Sequence, residues 1–230
     1  SANHAAFNLI FRFVENYISP IAGRISSQRH VMAIRDGFIS AMPFMIVGSF
    51  LLVFAYPPFS PDTTWGFARA WLDLAKEFEG RILTPFDMTM GIMSIYICAA
   101  ISYNLGKHYE KSNQLDPFMC AMLSIMAFLL IAAPKTNGTL PVDSLGGTGI
   151  FTAILVAIIS TRIFVAITRK GLIIKMPENV PEFISKSFSS LIPGIAILTL
   201  FTIISAVITS VGYGSIHEII YKLIQVPLTS

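Results

Sequence analysis

Hydrophobic and charged positions separate along this chain into long uncharged runs joined by short polar connections. Five runs of at least 18 residues lack Asp, Glu, Lys and Arg, namely 37–61, 88–106, 117–134, 144–161 and 187–216. The hydrocarbon core of a bilayer is about 30 Å thick, and a helix that rises about 1.5 Å per residue needs roughly 20 apolar residues to cross it. The pattern therefore predicts an all-α integral membrane protein with five transmembrane helices.

Breaker residues and charges place the ends of these helices. Proline and glycine clusters and flanking charged residues limit the five spans to about 37–54, 88–106, 117–133, 149–167 and 188–211. Before the second span, Thr84-Pro85 is typical of a helix start, with Thr84 as the N-cap and Pro85 in the first turn. We therefore expect a new helix to begin near residue 84.

Amphipathic segments lie outside the predicted spans. In residues 5–27 and 216–226, apolar residues recur at helical spacing and polar residues occupy the opposite face. Helices of this kind lie in the headgroup plane of a membrane, so we expect interfacial helices at both ends of the chain. A further amphipathic stretch after the first span carries both tryptophans, Trp65 and Trp71, which is typical of a membrane–water interface.

Composition and charge support a membrane location and indicate an orientation. Mean hydropathy is +0.69, and only 13% of residues are charged, against about 25% in soluble domains. With five crossings, eleven Lys and Arg residues fall on one side and five on the other. The positive-inside rule then places the N-terminus in the cytoplasm. The net charge of +3 is too small to indicate a nucleic-acid partner.

Ionisable side chains are missing from the middles of the predicted spans. Such groups inside a bilayer usually mark proton relays or ion paths, so their absence argues against a proton-coupled carrier that works through this segment. Cys98 and Cys120 fall within spans, lack a metal-binding spacing and are interpreted as buried thiols. We therefore expect no catalytic residue, no metal site and no cofactor.

Small residues and prolines interrupt several spans. Thr89-Met90-Gly91 in the second span and Pro193-Gly194 in the fifth could free backbone groups for a polar ligand. The same residues could instead kink a helix or let two helices approach closely. The pattern alone leaves both interpretations open.

One longer motif is more specific. Residues 174–194, IKMPENVPEFISKSFSSLIPG, resemble the signature of the lactose/cellobiose (diacetylchitobiose) IIC components of the bacterial phosphoenolpyruvate-dependent sugar phosphotransferase system. Residues 30–38 (HVMAIRDGF), Met42-Pro43 and residues 89–93 (TMGIM) resemble the same family in the same order. The resemblance extends over nearly all 230 residues.

The resemblance implies a transport component in the bacterial cell membrane. Such proteins take up a β-linked disaccharide of the cellobiose, chitobiose or lactose type, and a separate phosphorylated IIB component phosphorylates it. They have ten spans and form homodimers, so residues 1–230 are expected to be the N-terminal half of a IIC domain. The sugar-binding His and Glu are then expected beyond residue 230. Thr89 and Gly91 are the candidates to border the sugar in this half, because a backbone without bulk lets a flat pyranose approach.

Other functions remain open at this stage. An ion-coupled secondary transporter would require intramembrane acids or a sodium site built from carbonyl and hydroxyl oxygens. A dimerisation or scaffold module would need no transport chemistry of its own. A membrane enzyme is the weakest alternative, since the sequence offers no nucleophile and no acid–base pair.

Overall fold

The computed structural model describes residues 27–113, 115–134 and 138–210, and most of these residues are helical. Short 3₁₀ turns at Met90–Ile92 and Gly147–Gly149 lead into two of the helices. The interfacial helices predicted at 5–27 and 216–226 lie outside the described residues, apart from residue 27. In chain order the α-helices are α1 (Arg29–Ala55), α2 (Gly66–Asp87), α3 (Met93–Asn113), α4 (Pro117–Ala132), α5 (Ile150–Arg169), α6 (Glu182–Ser189) and α7 (Leu191–Ser210).

Four helical stretches of the described chain are long and apolar enough to cross a membrane. They are Arg29–Ala55, Gly66–Glu110, Gly147–Arg169 and Glu182–Ser210. Helix α4 is also apolar but has 16 residues, and at about 1.5 Å per residue it is roughly 24 Å long. This is less than the bilayer core of about 30 Å. The predicted multi-span helical architecture is confirmed, whereas the predicted count of five spans is not.

The short length of α4 follows from the residues at its two ends. The Asp116 carboxylate caps the helix by accepting a hydrogen bond from the Phe118 N–H at 3.0 Å, and Pro117 occupies the first turn. At the other end, Ala133 has already left helical geometry (φ −136°, ψ 57°). Pro134 follows, and a proline in this position cannot continue a helix.

The helix start predicted at Thr84 is wrong. Helix α2 runs through Thr84 and Pro85 and ends at Asp87, and α3 begins only at Met93. The Thr84 hydroxyl donates to the Gly80 carbonyl at 2.9 Å, as a threonine inside a helix does. The predicted second span therefore begins with a break in the helix. Helix α2 packs against α1, and its buried residues include Ala68 and Ala75.

Helix α3 lies at the centre of the bundle and packs against α1, α4 and α5. Three of its side chains, Ile97, Ile101 and Leu105, are completely buried. A Cβ atom at Gly37 of α1 would lie only 2.9 Å from the Ile101 main-chain nitrogen, so the backbones of α1 and α3 approach closely. Small residues at such crossings are the usual means of close helix packing in membranes.

The outer faces of the bundle are apolar. Phe50, Ile195 and Ile203 are each more than half exposed, at 60%, 55% and 55%. A soluble protein rarely exposes contiguous apolar patches of this kind, whereas acyl chains cover them in a bilayer. Helices α1, α4 and α7 thus have a buried inner face and a lipid-compatible outer face, which accounts for their weak amphipathicity.

A chain of buried hydroxyl groups ties α3, α4 and α5 together. Ser102 and Thr161 form a hydrogen bond of 2.6 Å, and the Ser124 hydroxyl donates to Ser102 at 2.6 Å. Ser124 and Ser160 form a further bond of 2.5 Å. All four side chains are fully buried, and each hydroxyl forms at least one hydrogen bond to a neighbouring helix.

Candidate functional site

The candidate site is the break between α2 and α3, which comprises residues 88–92. Thr89 leaves helical geometry with φ −114° and ψ −80°, and the short 3₁₀ turn Met90–Ile92 restarts the helix. The first N–H groups of a helix lack partners within the helix. Such a start is useful at membrane depth only where it faces protein or a polar cavity. The break therefore places the start of a helix at the two residues that the sequence selected, Thr89 and Gly91.

Thr89 is half-buried, and its hydroxyl proton is already engaged. Its Oγ1 donates to the carbonyl oxygens of Pro85 at 2.9 Å and Phe86 at 3.1 Å. A hydroxyl that donates in this way keeps its lone pairs for accepting. Toward a sugar, Thr89 can therefore act as an acceptor while it also closes the last turn of α2.

Gly91 is also half-buried, and it lies against the end of α2. A Cβ atom at this position would be 3.5 Å from the Asp87 Cβ and 3.7 Å from its Oδ1, which is ordinary van der Waals clearance. Space within the described chain therefore does not require glycine here. The contact brings the exposed carboxylate of Asp87 beside Gly91, and no sequence motif had singled out Asp87 as a site residue.

Helix α1 supports the break from one side. A Cβ atom at Gly48 would overlap the Met90 side chain and lie 2.9 Å from the Thr89 Oγ1. On the same side, the rings of Phe44 and Tyr96 stack with centroids 4.2 Å apart and planes 4° from parallel. The Tyr96 hydroxyl donates to the Met88 carbonyl at 2.7 Å, so this aromatic pair is anchored to the main chain of the break.

The start of α5 supports the break from another side. The Ser94 N–H donates to the Leu145 carbonyl at 2.9 Å, and the Ser94 hydroxyl donates to the Gly146 carbonyl at 2.5 Å. A Cβ atom at Gly146 would be 3.1 Å from the Gly91 carbonyl oxygen. Two interrupted helix starts therefore pack against each other, through residues more than 50 positions apart in the sequence.

The chemistry of this region suits a neutral ligand with many hydroxyl groups. It offers one carboxylate, a hydroxyl acceptor, backbone groups at a helix start and an exposed aromatic ring on Phe44. The part of the chain that the structure describes contains no group of three His, Cys, Asp or Glu residues suited to a metal ion. The arrangement can hold a sugar by hydrogen bonds and ring stacking, but it carries no nucleophile and no acid–base pair.

An apolar groove lies away from the break, near the predicted tryptophan belt. It has a volume of about 630 Å³ between the end of α1 and α2, and Trp71 and Phe78 are among its lining residues. The Trp71 indole N–H donates to the Phe54 carbonyl at 3.2 Å. Nearby, the Glu79 carboxylate accepts a hydrogen bond of 2.9 Å from the Tyr56 hydroxyl and so raises the pKa of Tyr56. These contacts fix α2 to the end of α1, and the interfacial position of the tryptophans stays a prediction.

A polar cleft lies at the opposite ends of the helices. It has a volume of about 590 Å³ and is lined by residues that include Glu110, Glu182 and Lys186. The Lys186 amine and the Glu182 carboxylate form an ion pair of 2.9 Å within α6. The cleft is well separated in sequence and in the fold from residues 88–92.

Fold and site together define a polytopic α-helical membrane protein with a discontinuous helix beside its candidate binding residues. Residues 35–228 match the family described as phosphotransferase system, EIIC, and the chain belongs to this family. EIIC components are membrane proteins, in agreement with the apolar helices.

Three similar proteins illustrate the relationship. The PTS system cellobiose-specific EIIC component of Geobacillus stearothermophilus is 32% identical over 95% of this chain and 49% of its own length. The PTS system lactose-specific EIICB component of Streptococcus mutans is 32% identical over 87% of this chain and 35% of its own length. The crystal structure of ChbC, the IIC component from the N,N'-diacetylchitobiose-specific phosphotransferase system, matches with a TM-score of 0.78 at 36% identity, over 94% of this chain and 51% of ChbC. The chain thus spans about half the length of the IIC relatives it matches.

Proposed function

We propose that this chain is the N-terminal half of a IIC domain that carries a β-linked disaccharide across the bacterial cell membrane. The disaccharide is of the cellobiose, chitobiose or lactose type, and a phosphorylated IIB component phosphorylates it at the cytoplasmic face. The observation that carries the proposal is the family match over residues 35–228, together with the structural similarity to a diacetylchitobiose-specific IIC component. The IIB partner is supported by the lactose-specific EIICB relative.

The chemistry of the described spans supports a carrier that is not driven by ions. The buried polar side chains of the described chain are all serine or threonine, whereas proton relays use Asp, Glu or His. The hydroxyls of Ser102, Ser124, Ser160 and Thr161 are hydrogen-bonded to one another at 2.5 to 2.6 Å. These hydroxyls are engaged in joining α3, α4 and α5. A carrier whose energy comes from phosphorylating its substrate needs neither a proton relay nor a sodium site.

The same proposal includes five crossings, with the N-terminus in the cytoplasm. Helices α3 and α5 begin side by side, since Ser94 binds the Leu145 and Gly146 carbonyls. Both helix starts therefore lie at the same membrane depth. Since α3 ends on the opposite side, α4 must bring the chain back across the membrane to the start of α5. The division of eleven and five Lys and Arg residues then favours a cytoplasmic N-terminus. Assembly as a homodimer is proposed from the family resemblance.

Thr89 and Gly91 are proposed to border the sugar, and Asp87 joins them. A charged acceptor forms stronger hydrogen bonds with hydroxyl groups than a neutral acceptor does. Asp87 lies within van der Waals distance of the Cβ position of Gly91, so a ligand that approaches the open backbone of Gly91 also reaches this carboxylate. The remaining sugar contacts are proposed to come from a His and a Glu beyond residue 230.

Direct binding tests the proposal. The intact protein that contains this chain is purified in detergent and titrated with cellobiose, diacetylchitobiose and lactose in buffer without sodium, and maltose serves as the α-linked control. Saturable binding of at least one β-linked sugar, with weaker binding of maltose, is expected. Binding that appears only on addition of sodium would favour the ion-coupled alternative, and no binding of any of these sugars would contradict the proposed substrate class.

A further inference from the structure

We propose, on the basis of the proposed sugar-binding function, that Ser94 is the positioning residue of the site. It holds the break at residues 88–92 against the start of α5, so that the residues that contact the sugar keep a fixed geometry. Ser94 itself is completely buried. It therefore acts on the ligand through its neighbours and not by contact.

Both polar groups of Ser94 bind the connection that leads into α5. Ser94 is the second residue of α3, and its N–H is one of the donors that a helix start leaves without an intrahelical partner. This N–H reaches the Leu145 carbonyl at 2.9 Å, and the hydroxyl reaches the carbonyl of the next residue, Gly146. The two donors of Ser94 thus bind two consecutive carbonyls of the loop. Together these bonds fix the distance of the loop from α3 and its rotation relative to α3.

The glycines of the connection allow this close approach. A Cβ atom at Gly146 would be 3.1 Å from the Gly91 carbonyl oxygen, and one at Gly149 would be 3.1 Å from the Ser94 Oγ. These distances are shorter than most Cβ contacts in proteins. The backbone of the connection therefore rests directly on Gly91, one of the two residues proposed to border the sugar.

Loss of the Ser94 hydroxyl has two consequences. The Gly146 carbonyl keeps only the donor from its own loop, the Gly149 N–H at 3.1 Å, and loses its side-chain bond to α3. The only remaining direct bond of Ser94 to the connection is then its N–H, about which the loop can rotate. Gly91 then loses part of its support, and binding of the sugar must offset the entropy lost when Gly91 is ordered again.

The test compares Ser94→Ala with Ser124→Ala in the intact protein. Both variants remove one fully buried hydroxyl that bonds another helix or loop, but Ser124 lies in the hydroxyl chain between α3, α4 and α5. The dissociation constants of radiolabelled cellobiose and diacetylchitobiose and the thermal midpoint are measured for each. Ser94→Ala is expected to weaken binding by about tenfold, the equivalent of one hydrogen bond, whereas Ser124→Ala lowers the midpoint and leaves the dissociation constant unchanged.

A second variant acts on the same contact from the other side. Gly146→Ala inserts a methyl group against the Gly91 carbonyl and is expected to weaken binding to a similar extent. In the double variant with Ser94→Ala the two effects should be less than additive, because both displace the same loop. This variant decides the matter alone if Ser94→Ala does not fold.

The outcomes separate this inference from the proposed function. Wild-type affinity in both Ser94→Ala and Gly146→Ala, with only their thermal midpoints lowered, would reduce Ser94 to a structural residue and overturn the inference. Equal weakening of binding by Ser124→Ala would also overturn it. Failure of the wild-type protein to bind any β-linked disaccharide would instead refute the function on which the inference rests.

Discussion

At the scale of single residues, the clearance around a glycine shows whether helix packing requires it. Gly48 is packed so tightly that a Cβ atom would overlap Met90, whereas a Cβ atom at Gly91 would meet Asp87 at an ordinary 3.5 Å. The first glycine is therefore required by the contact between α1 and the break. Packing does not require the second glycine, and its role beside the sugar stays a prediction.

The packing role of Gly48 can be tested by Gly48→Ala. Forcing a methyl group into a filled contact typically costs about 1–3 kcal/mol, and we expect a loss of stability in this range, measured by thermal unfolding in detergent. Gly80→Ala is the matched control, because a Cβ atom at Gly80 of α2 would meet nothing within 4 Å. It should be neutral or stabilising by up to about 1 kcal/mol through helix propensity. Equal stability of both variants would contradict the close contact.

The proposed role of Asp87 can be tested by Asp87→Asn, which removes the charge and preserves the shape. A hydrogen bond to a charged group contributes about 1.5–3 kcal/mol, so the dissociation constant for cellobiose or diacetylchitobiose should rise by at least about tenfold. Asp73→Asn is the control, since Asp73 is exposed on the same helix about 20 Å along its axis. Unchanged affinity in Asp87→Asn would remove Asp87 from the site.

At the scale of helices, hydrogen bonds in the buried hydroxyl chain stabilise the contacts among α3, α4 and α5, where the hydrophobic effect contributes little. Lipid is as apolar as the helix surfaces, so interhelical hydrogen bonds and close packing drive association in membranes, at about 0.6–2 kcal/mol for each bond. Ser102→Ala should lower the free energy of unfolding by about this amount. When Thr161→Val is added to the Ser102→Ala variant, stability should fall little further, because the bond between the two hydroxyls is already lost. Full additivity of the two substitutions in thermal unfolding would show that the two hydroxyls do not act as one network.

The positions of the helices followed from the sequence better than their ends did. The uncharged runs located α1, α3, α4, α5 and α7, because lipid excludes charge over the whole length of a span. Thr84-Pro85 misled because the same pair fits the first turn of one helix and the last turn of another, and here α2 continues through it to Asp87. The span count of five rested on uncharged length, and the prolines around α4 cut its helix to 16 residues.

The site was only partly accessible from the sequence. Thr89 and Gly91 stood out as small residues within an apolar run, and the structure places them at a helix break. Asp87 did not stand out because the sequence placed it in the first turn of a helix. Ser94 and Gly146 did not stand out because their proposed roles arise from a contact across the fold. The bond from Ser94 to Gly146 joins residues 52 positions apart, and no local periodicity indicates such a contact.

At the scale of the whole molecule, the topology makes a prediction for labelling with thiol reagents. Cys98 and Cys120 are buried, so single cysteines introduced at exposed sites can be detected against a low background. A membrane-impermeant maleimide on right-side-out vesicles should label Asp62→Cys and Asp143→Cys but not Lys175→Cys, which should react only in inverted vesicles. Labelling of Asp143→Cys from the cytoplasmic side would show that α4 does not cross the membrane.

The central claim is that phosphorylation, and not an ion gradient, drives sugar uptake. The most direct measurement is the uptake of radiolabelled cellobiose and diacetylchitobiose into right-side-out vesicles that hold the intact protein, with phosphorylated IIB enclosed and ionophores present. We predict that one of these sugars accumulates as its phosphate at the same rate with and without ionophores, and that accumulation stops when IIB is not phosphorylated. Accumulation of unmodified sugar that ionophores abolish would contradict the account.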